Sequence, residues 1–352
     1  MRAPTNPFPK QEIQTIDALF ALAGLTRNQR GQAAGVTTRM RFERGNRLDR
    51  QELTPAAQLP RSAPNGLPFI SVPAWQRFDW LWHGFSTRRG GSSTSYCAEG
   101  EPGELNLGFT AEDPRQTVAA NRRLLAEAIT GNPETPLVAL KQIHSNLTRV
   151  VGAADATREL PWKADGLMTA EPGLLLAIQT ADCIPVLVAD RKRRAVAAFH
   201  AGWRGTAARI VESGIGRMRL EFGSRPEDLV AAIGPGIGQC CYAVGEEMLS
   251  EFESQFAYAQ QLFHEVDDAE EVHRKYPMLF LTQRAPGHSP IGPSLHLDLV
   301  EANRRQLLAA GLKPRAIHAV SGCTSCHREL FFSHRGSQGR AGRMMSVIGI
   351  RA

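Results

Sequence analysis

The stretch Thr180–Thr206, TADCIPVLVADRKRRAVAAFHAGWRGT, holds two apolar runs separated by four charged residues. CIPVLVAD and AVAAFH are each an apolar run of the length of a buried strand. RKRR between them suits a solvated turn, so the segment predicts a β-hairpin. Pairing Asp190 with Ala195 sets the register, and Cys183 then faces Gly202 while His200 faces Pro185. Cys183 and His200 are offset by two positions and share one face, roughly 7–8 Å apart at the backbone and within side-chain reach. A thiol and an imidazole that converge support two chemistries, a metal site using sulfur and nitrogen ligands or a nucleophile–base pair. A metal needs a third ligand. KQIHSN supplies His144 on a further β-like segment, and His, Cys and His together leave a fourth position open, as catalytic zinc sites do.

Around this hairpin, strands tend to follow one another directly and helices separate groups of them. LPFISVPAWQRFDWLWHGFSTRRGG reads as two strands and a Gly-rich loop, and EDLVAAIGPGIGQCCYAVG as a strand running into a Gly loop. DPRQTVAANRRLLAEAITG carries a helix, with Asp113 as its cap, Pro114 in its first turn and Gly131 at its end. GTAARIVESGIGRMRLEFG and SLHLDLVEANRRQLLAAGL predict two more helices, and MMSVIGI a closing strand. The pattern implies an α+β fold with mixed β-sheets flanked by helices.

Residues 1–66 read differently. A short amphipathic helix fits QEIQTIDALFALAGL, and polar, Arg-, Gln- and Pro-rich text follows it up to RSAPNG. The expectation is a poorly ordered basic extension over 1–66 and a single catalytic domain over 67–352. The net charge of +6 comes largely from this segment. Interleaved aromatic residues are nearly absent from it, which argues against nucleic acid as a partner. No apolar run reaches the length of a membrane span and no secretory leader is visible, so a cytoplasmic protein is expected. Six cysteines in 352 residues do not make a disulfide scaffold and are expected as thiols, ligands or nucleophiles. Oligomeric state has no signature in the sequence.

The motifs KQIHSN, ADGLMT, TADCIPVLVAD, AAFHAGWRGT, AAIGPGIGQCCYAVGEE and CTSCHRELFFSHRG, with GFSTRRGG and LNLG upstream, together resemble the YfiH family, also called laccase-domain or polyphenol-oxidase-like proteins. The resemblance runs in order through residues 67–352. It implies a layered α+β sandwich similar to toxin deamidases, and a metal, usually zinc with copper as the alternative, held by His144, Cys183 and His200. It also implies phosphorolysis of adenosine, inosine, guanosine and methylthioadenosine with inorganic phosphate, and deamination of adenosine. Phosphate is held by arginines and backbone N–H groups in such chemistry, and Arg88, Arg204 and Arg335 are the candidates. Asp182, next to Cys183, is a candidate to orient a ligand or carry a proton, which places it with Cys183 and His200 in the catalytic set. The rival readings are a copper laccase oxidising phenols, a metal-free hydrolase using Cys183 and His200, and a factor that edits peptidoglycan precursors. Repeated His-x-His copper motifs are absent.

Two signals stand apart. CTSCH at Cys323–His327 matches the c-type haem attachment pattern, yet no export signal accompanies it. A structural zinc on Cys323, Cys326 and His327 lacks a fourth ligand. GPGIGQCC has spaced glycines but opens no helix after a strand, which weakens a dinucleotide reading and leaves Cys241 as a structural or reactive thiol.

Overall fold

The computed structural model describes residues 47–48, 57–98, 100–155, 162–266 and 294–352. The helix expected over QEIQTIDALFALAGL lies outside them. The described elements belong to the unit Asn46–Ala352.

The strands in chain order are β1 (Arg47–Leu48), β2 (Arg61–Ser62), β3 (Pro68–Ile70), β4 (Leu81–Ser86), β5 (Arg89–Ser93), β6 (Leu137–Ala139) and β7 (Thr148–Val150). Then come β8 (Gly166–Thr169), β9 (Leu175–Thr180), β10 (Ile184–Asp190), β11 (Val196–Ala201) and β12 (Leu229–Ile233). The last are β13 (Ala243–Val244), β14 (Phe263–Val266), β15 (Ser294–Leu297), β16 (Ile317–Ala319) and β17 (Met344–Ile350). They form two six-stranded sheets, ordered β16-β12-β10-β11-β8-β7 and β2-β3-β4-β17-β9-β6, and a small sheet β1-β14-β15-β13. Both large sheets are mixed: β12 runs parallel to β16 and β7 to β8 in the first, β6 parallel to β9 in the second.

The β10–β11 hairpin has the expected register. Pro185 pairs with His200 and Ala189 with Val196. Asp190 closes the turn: its Oδ1 accepts hydrogen bonds from the backbone N–H groups of Lys192 and Arg193 at 2.8 and 2.9 Å, and Arg194 takes a left-handed φ of 50°. Alternation along the strands sorts two buried layers. Leu187, Ala189, Val196, Ala198 and Leu167 of the first sheet pack against Phe85, Leu176, Ile178 and Ile348 of the second, forming the main core. The second sheet turns Phe69, Trp82, Leu175, Ala177, Met345 and Val347 the other way, onto Leu125 and Ala126 of the helix Arg115–Thr130. The helices Ile210–Phe222 and Leu299–Ala309 cover the outer face of the first sheet. Close approach there requires Gly214, since a Cβ would stand 2.3 Å from the Phe199 ring. The result is a four-layer sandwich of helix, sheet, sheet and helices.

Local details depart from expectation in four places. Asp113 does not cap the helix Arg115–Thr130; its Oδ2 accepts from the Asn106 side chain at 2.7 Å instead, and Gly131 ends the helix at φ 84° as read. The helix after β11 is broken in two, Trp203–Ala207 and Ile210–Phe222, by Arg209 at φ 58°. KQIHSN is loop rather than strand, lying between β6 and β7, and its His144 has φ 60°. Residues 57–66 join the sandwich: β2 pairs with β3, the Gln58 N–H donates to the Ser321 carbonyl at 3.0 Å, and Ala63 is buried. That segment has turn-like composition but still supplies an edge strand. No helix among the described residues is long and apolar enough to cross a membrane.

Candidate metal centre and cleft

The site grows from one buried carboxylate. Asp165 precedes β8, which neighbours β11 in the sheet, and it is wholly inaccessible to solvent. Its backbone carbonyl accepts the His200 N–H at 2.7 Å, and its Oδ1 accepts from His200 Nδ1 at 2.8 Å. The same carboxylate collects the loop that carries His144. Oδ1 takes the backbone N–H of His144 at 2.9 Å and Oδ2 those of Ser145 and its hydroxyl at 2.6 and 2.7 Å, with Ile143 N–H shared between both. One side chain therefore sets the ring of one histidine and the backbone of another. Burial opposes ionisation of Asp165, yet His200 and the Ser145 donors bring its pKa down to about 2. With Nδ1–H committed to the carboxylate, His200 presents Nε2 outward, the tautomer a metal ligand requires.

Cys183 enters just before β10, two residues ahead of Pro185, which pairs with His200. Its Sγ lies 4.0 Å from His144 Nε2, the two imidazole rings stand 4.9 Å apart at 69°, and the ligand atoms of His144, Cys183 and His200 all lie within 4.8 Å of one another. Gly202 makes room for this approach: a Cβ there would sit 3.0 Å from Cys183 Sγ and 3.0 Å from the His144 ring. Burial would raise the Cys183 thiol, but the charge of His200 and hydrogen bonds to both histidines lower its pKa to about 6. Burial likewise works against protonated His200, and the Cys183 sulfur and Asp165 outweigh it to reach about 9. The group therefore stabilises a thiolate, which is the form of cysteine that binds metal and also the form that attacks as a nucleophile. Two nitrogens and one sulfur at these separations fit around a tetrahedral ion whose ligands lie about 2.0–2.3 Å from it.

The three side chains lie on the wall of a cleft of about 570 Å³. Gln142, Tyr242, His334, Arg335 and Arg343 share its lining. The Arg335 guanidinium lies over the Tyr242 ring at 5.3 Å and donates to the Ala243 carbonyl at 2.8 Å. Arg343 is half-buried and donates to the Ala341 carbonyl at 2.6 Å. Burial, and then the Cys183 sulfur, push the Tyr242 hydroxyl up to about 12, so it remains a proton donor at neutral pH.

The sequence candidates divide accordingly. His144, Cys183, His200 and Arg335 meet in the cleft. Arg88 does not: Glu104 pairs with it, the Arg328 carbonyl accepts from it at 2.6 Å, and it lies over Phe332. Arg204 is exposed beside Trp203, outside the cleft lining. Asp182 lines the cleft, but both of its carboxylate oxygens are engaged. Oδ1 accepts from the Thr324 hydroxyl and Oδ2 from the Arg335 N–H, each at 2.7 Å. At φ 93° its backbone directs the side chain into that loop, so it pins the C-terminal wall rather than orienting Cys183 or His200. The carboxylate that orients His144 and His200 is Asp165. An aspartate ahead of the apolar strand GLMT was its only sequence signal. Arg343 was the other omission, in a glycine-rich stretch that looks like surface.

A family model described as multi-copper polyphenol oxidoreductase laccase matches residues 82–351. The chain belongs to this family. Among its relatives, the purine nucleoside phosphorylase of Bacteroides thetaiotaomicron is 36% identical over 272 residues, covering 76% of this chain and 90% of that protein. The purine nucleoside phosphorylase YlmD of Geobacillus stearothermophilus is 36% identical over 275 residues, covering 76% and 89%. The crystal structure of YfiH from Bacillus licheniformis superposes with a TM-score of 0.66 at 32% identity, over 84% of this chain and 99% of that one. The matched residues thus include the whole first large sheet, the second except β2, β3 and the start of β4, and all three members of the His–Cys–His group.

Proposed function

We propose that this laccase-type domain is a zinc-dependent purine nucleoside phosphorylase acting on adenosine, inosine, guanosine and methylthioadenosine, with adenosine deamination as a second activity. The observation that carries the reading is a His–Cys–His group in the wall of a cleft that also holds two arginines, in a chain whose relatives bear the phosphorylase name. Zinc held by His144, Cys183 and His200 would supply Lewis acidity to the cleft. Arg335 and Arg343 offer the positive charge and N–H donors that inorganic phosphate needs beside the sugar. In phosphorolysis a phosphate oxygen bonds to the ribose C1′, the C1′–N9 bond breaks, and its electron pair leaves with the purine, which takes up a proton. In deamination the oxygen of water bonds to the purine C6 and ammonia leaves. The Tyr242 hydroxyl, held protonated in the cleft, is the chain's donor for a leaving base.

Incubation of the purified protein with adenosine, with and without phosphate, tests this by chromatography. Adenine and ribose 1-phosphate should form in equal amounts and saturate with phosphate, and inosine should form without it. Arg335→Ala and Arg343→Ala should each raise the phosphate KM by roughly tenfold or more, the loss of a charge-assisted hydrogen bond worth about 1.5–3 kcal/mol, while sparing deamination. Copper-dependent oxygen uptake with a phenol, and inert nucleosides at every phosphate level, would establish the laccase alternative. The thiolate held by His200 also suits a metal-free cysteine hydrolase, and nucleoside turnover that persists after complete zinc removal would favour it.

A further inference from the structure

We infer that Cys240, Cys241, Cys323 and Cys326 form a second metal centre, a structural tetrathiolate zinc site that ties the two loops flanking the cleft. Their four sulfur atoms lie within 4.8 Å of one another. Cys326 Sγ is 3.6 Å from Cys240 Sγ and 3.3 Å from Cys241 Sγ. Both separations are well beyond the roughly 2.05 Å of a disulfide bond. An ion about 2.3 Å from each sulfur sets tetrahedral sulfur–sulfur edges near 3.8 Å. The 3.3 and 3.6 Å separations lie close to that edge length and no pair exceeds 4.8 Å, which favours a single ion over an iron–sulfur cluster, whose several metal atoms hold their cysteines farther apart. Sulfur-only ligation in a closed, mostly buried shell suits zinc and leaves no position for substrate, which marks the site as structural.

The surrounding backbone is shaped for the sulfurs. The Gly238 N–H donates to Cys323 Sγ at 3.2 Å, the kind of contact that stabilises a metal-bound thiolate. A side chain at Gly238 would crowd the group, since a Cβ there meets the Cys323 Cβ at 3.1 Å and Cys240 Sγ at 3.2 Å. A bridge between Gly236 and Cys323 and the Thr324 N–H to the Gly236 carbonyl bring the two loops together. His327, the ligand suggested by the local C-x-x-C-H pattern, turns its Nδ1 to Glu329 at 3.4 Å and is not part of the sulfur group. The centre sits directly behind the cleft: Ile237 donates to the Asp182 carbonyl and Thr324 to the Asp182 carboxylate. Its role is to hold that wall in place.

The test measures metal content in the full chain carrying Cys183→Ala, which removes the cleft site from the count and makes the outcome independent of the chemistry proposed there. That variant, purified after growth with zinc, should retain about one zinc per chain, and adding Cys323→Ser or Cys326→Ser should reduce it at least tenfold. Cobalt substituted into the Cys183→Ala protein should give the intense sulfur-to-metal charge-transfer absorption of four thiolates, a readout that needs no second mutation. Cys240, Cys241, Cys323 and Cys326 should resist thiol reagents until an organomercurial displaces the zinc. A folded Cys183→Ala chain without metal, with these cysteines reacting freely as thiols, overturns the inference. So does a mass lower by two hydrogens, which reports a disulfide within the group.

Discussion

Replacing Asp165 by asparagine keeps the shape of the side chain and removes its charge, which isolates what the carboxylate does. Every hydrogen bond of the Asp165 carboxylate is with a donor: the N–H groups of Ile143, His144 and Ser145, the Ser145 hydroxyl and His200 Nδ1. An amide has one oxygen and one NH2, so one of the two donor sets must face a donor. Losing two hydrogen bonds to a charged acceptor corresponds to about 3–6 kcal/mol. The pH linkage gives an independent lower figure. The Asp165 pKa falls from 3.8 to about 2 on folding, so its ionised form contributes about 2.5 kcal/mol that is present above pH 3.8 and lost as pH drops through 2. The amide can also accept the wrong imidazole tautomer and turn His200 Nε2 into an N–H, which should weaken zinc binding by about 10–100-fold. Urea unfolding of chelator-treated protein reads the first quantity and competition with a chromophoric chelator reads the second. Zinc affinity within twofold of wild type, together with an unfolding free energy changed by less than about 0.5 kcal/mol, would refute the role given to Asp165.

Gly202→Ala should abolish zinc binding at the cleft while leaving the sandwich folded, because its Cβ would stand 3.0 Å from both Cys183 Sγ and the His144 ring; isothermal titration with near-normal affinity would contradict the close approach. Burial lowers the pKa of His83 to about 4, and its Nε2 accepts the Val72 N–H. The unfolded chain therefore binds the extra proton between pH 6.5 and 4, and wild type should lose about 2–3 kcal/mol of stability from pH 7 to 4.5 that His83→Gln does not lose. Parallel pH profiles of the two proteins would remove His83 as the cause. Deleting residues 1–66 should lower Tm by at least about 4 °C, since Ala63, strand β2 and both Gln58 hydrogen bonds go with it. Deleting 1–45 should leave Tm and adenosine turnover unchanged, and a clear drop in either would show that this basic, polar segment supports the domain.

The hairpin and the convergence of Cys183 with His200 were legible from local text because their geometry is local. A four-residue turn fixes the register of the strands it joins, and a period of two then decides which side chains share a face. That Cys183 and His200 share a face follows from that rule alone, without knowledge of any other strand. His144 could be proposed as a residue type but not placed, because a loop at φ 60° follows no periodicity and is held by Asp165, twenty-one residues away. Asp182 and Asp165 show the same limit from opposite sides. Both are aspartates at the edge of an apolar strand, and only the surrounding donors decide that one pins the loop at Thr324 and Arg335 while the other fixes the histidines. The cysteine group needed the most distant information. Cys323 and Cys326 announced themselves by spacing, but their partners at Cys240 and Cys241 are about 85 residues earlier. They meet because β12 and β16 run parallel and deliver the loops at their ends to one edge of the sheet. Local sequence carries backbone preference and face; which loops converge is a property of strand order, set by burying both sheets against one another, and no short window of residues contains it.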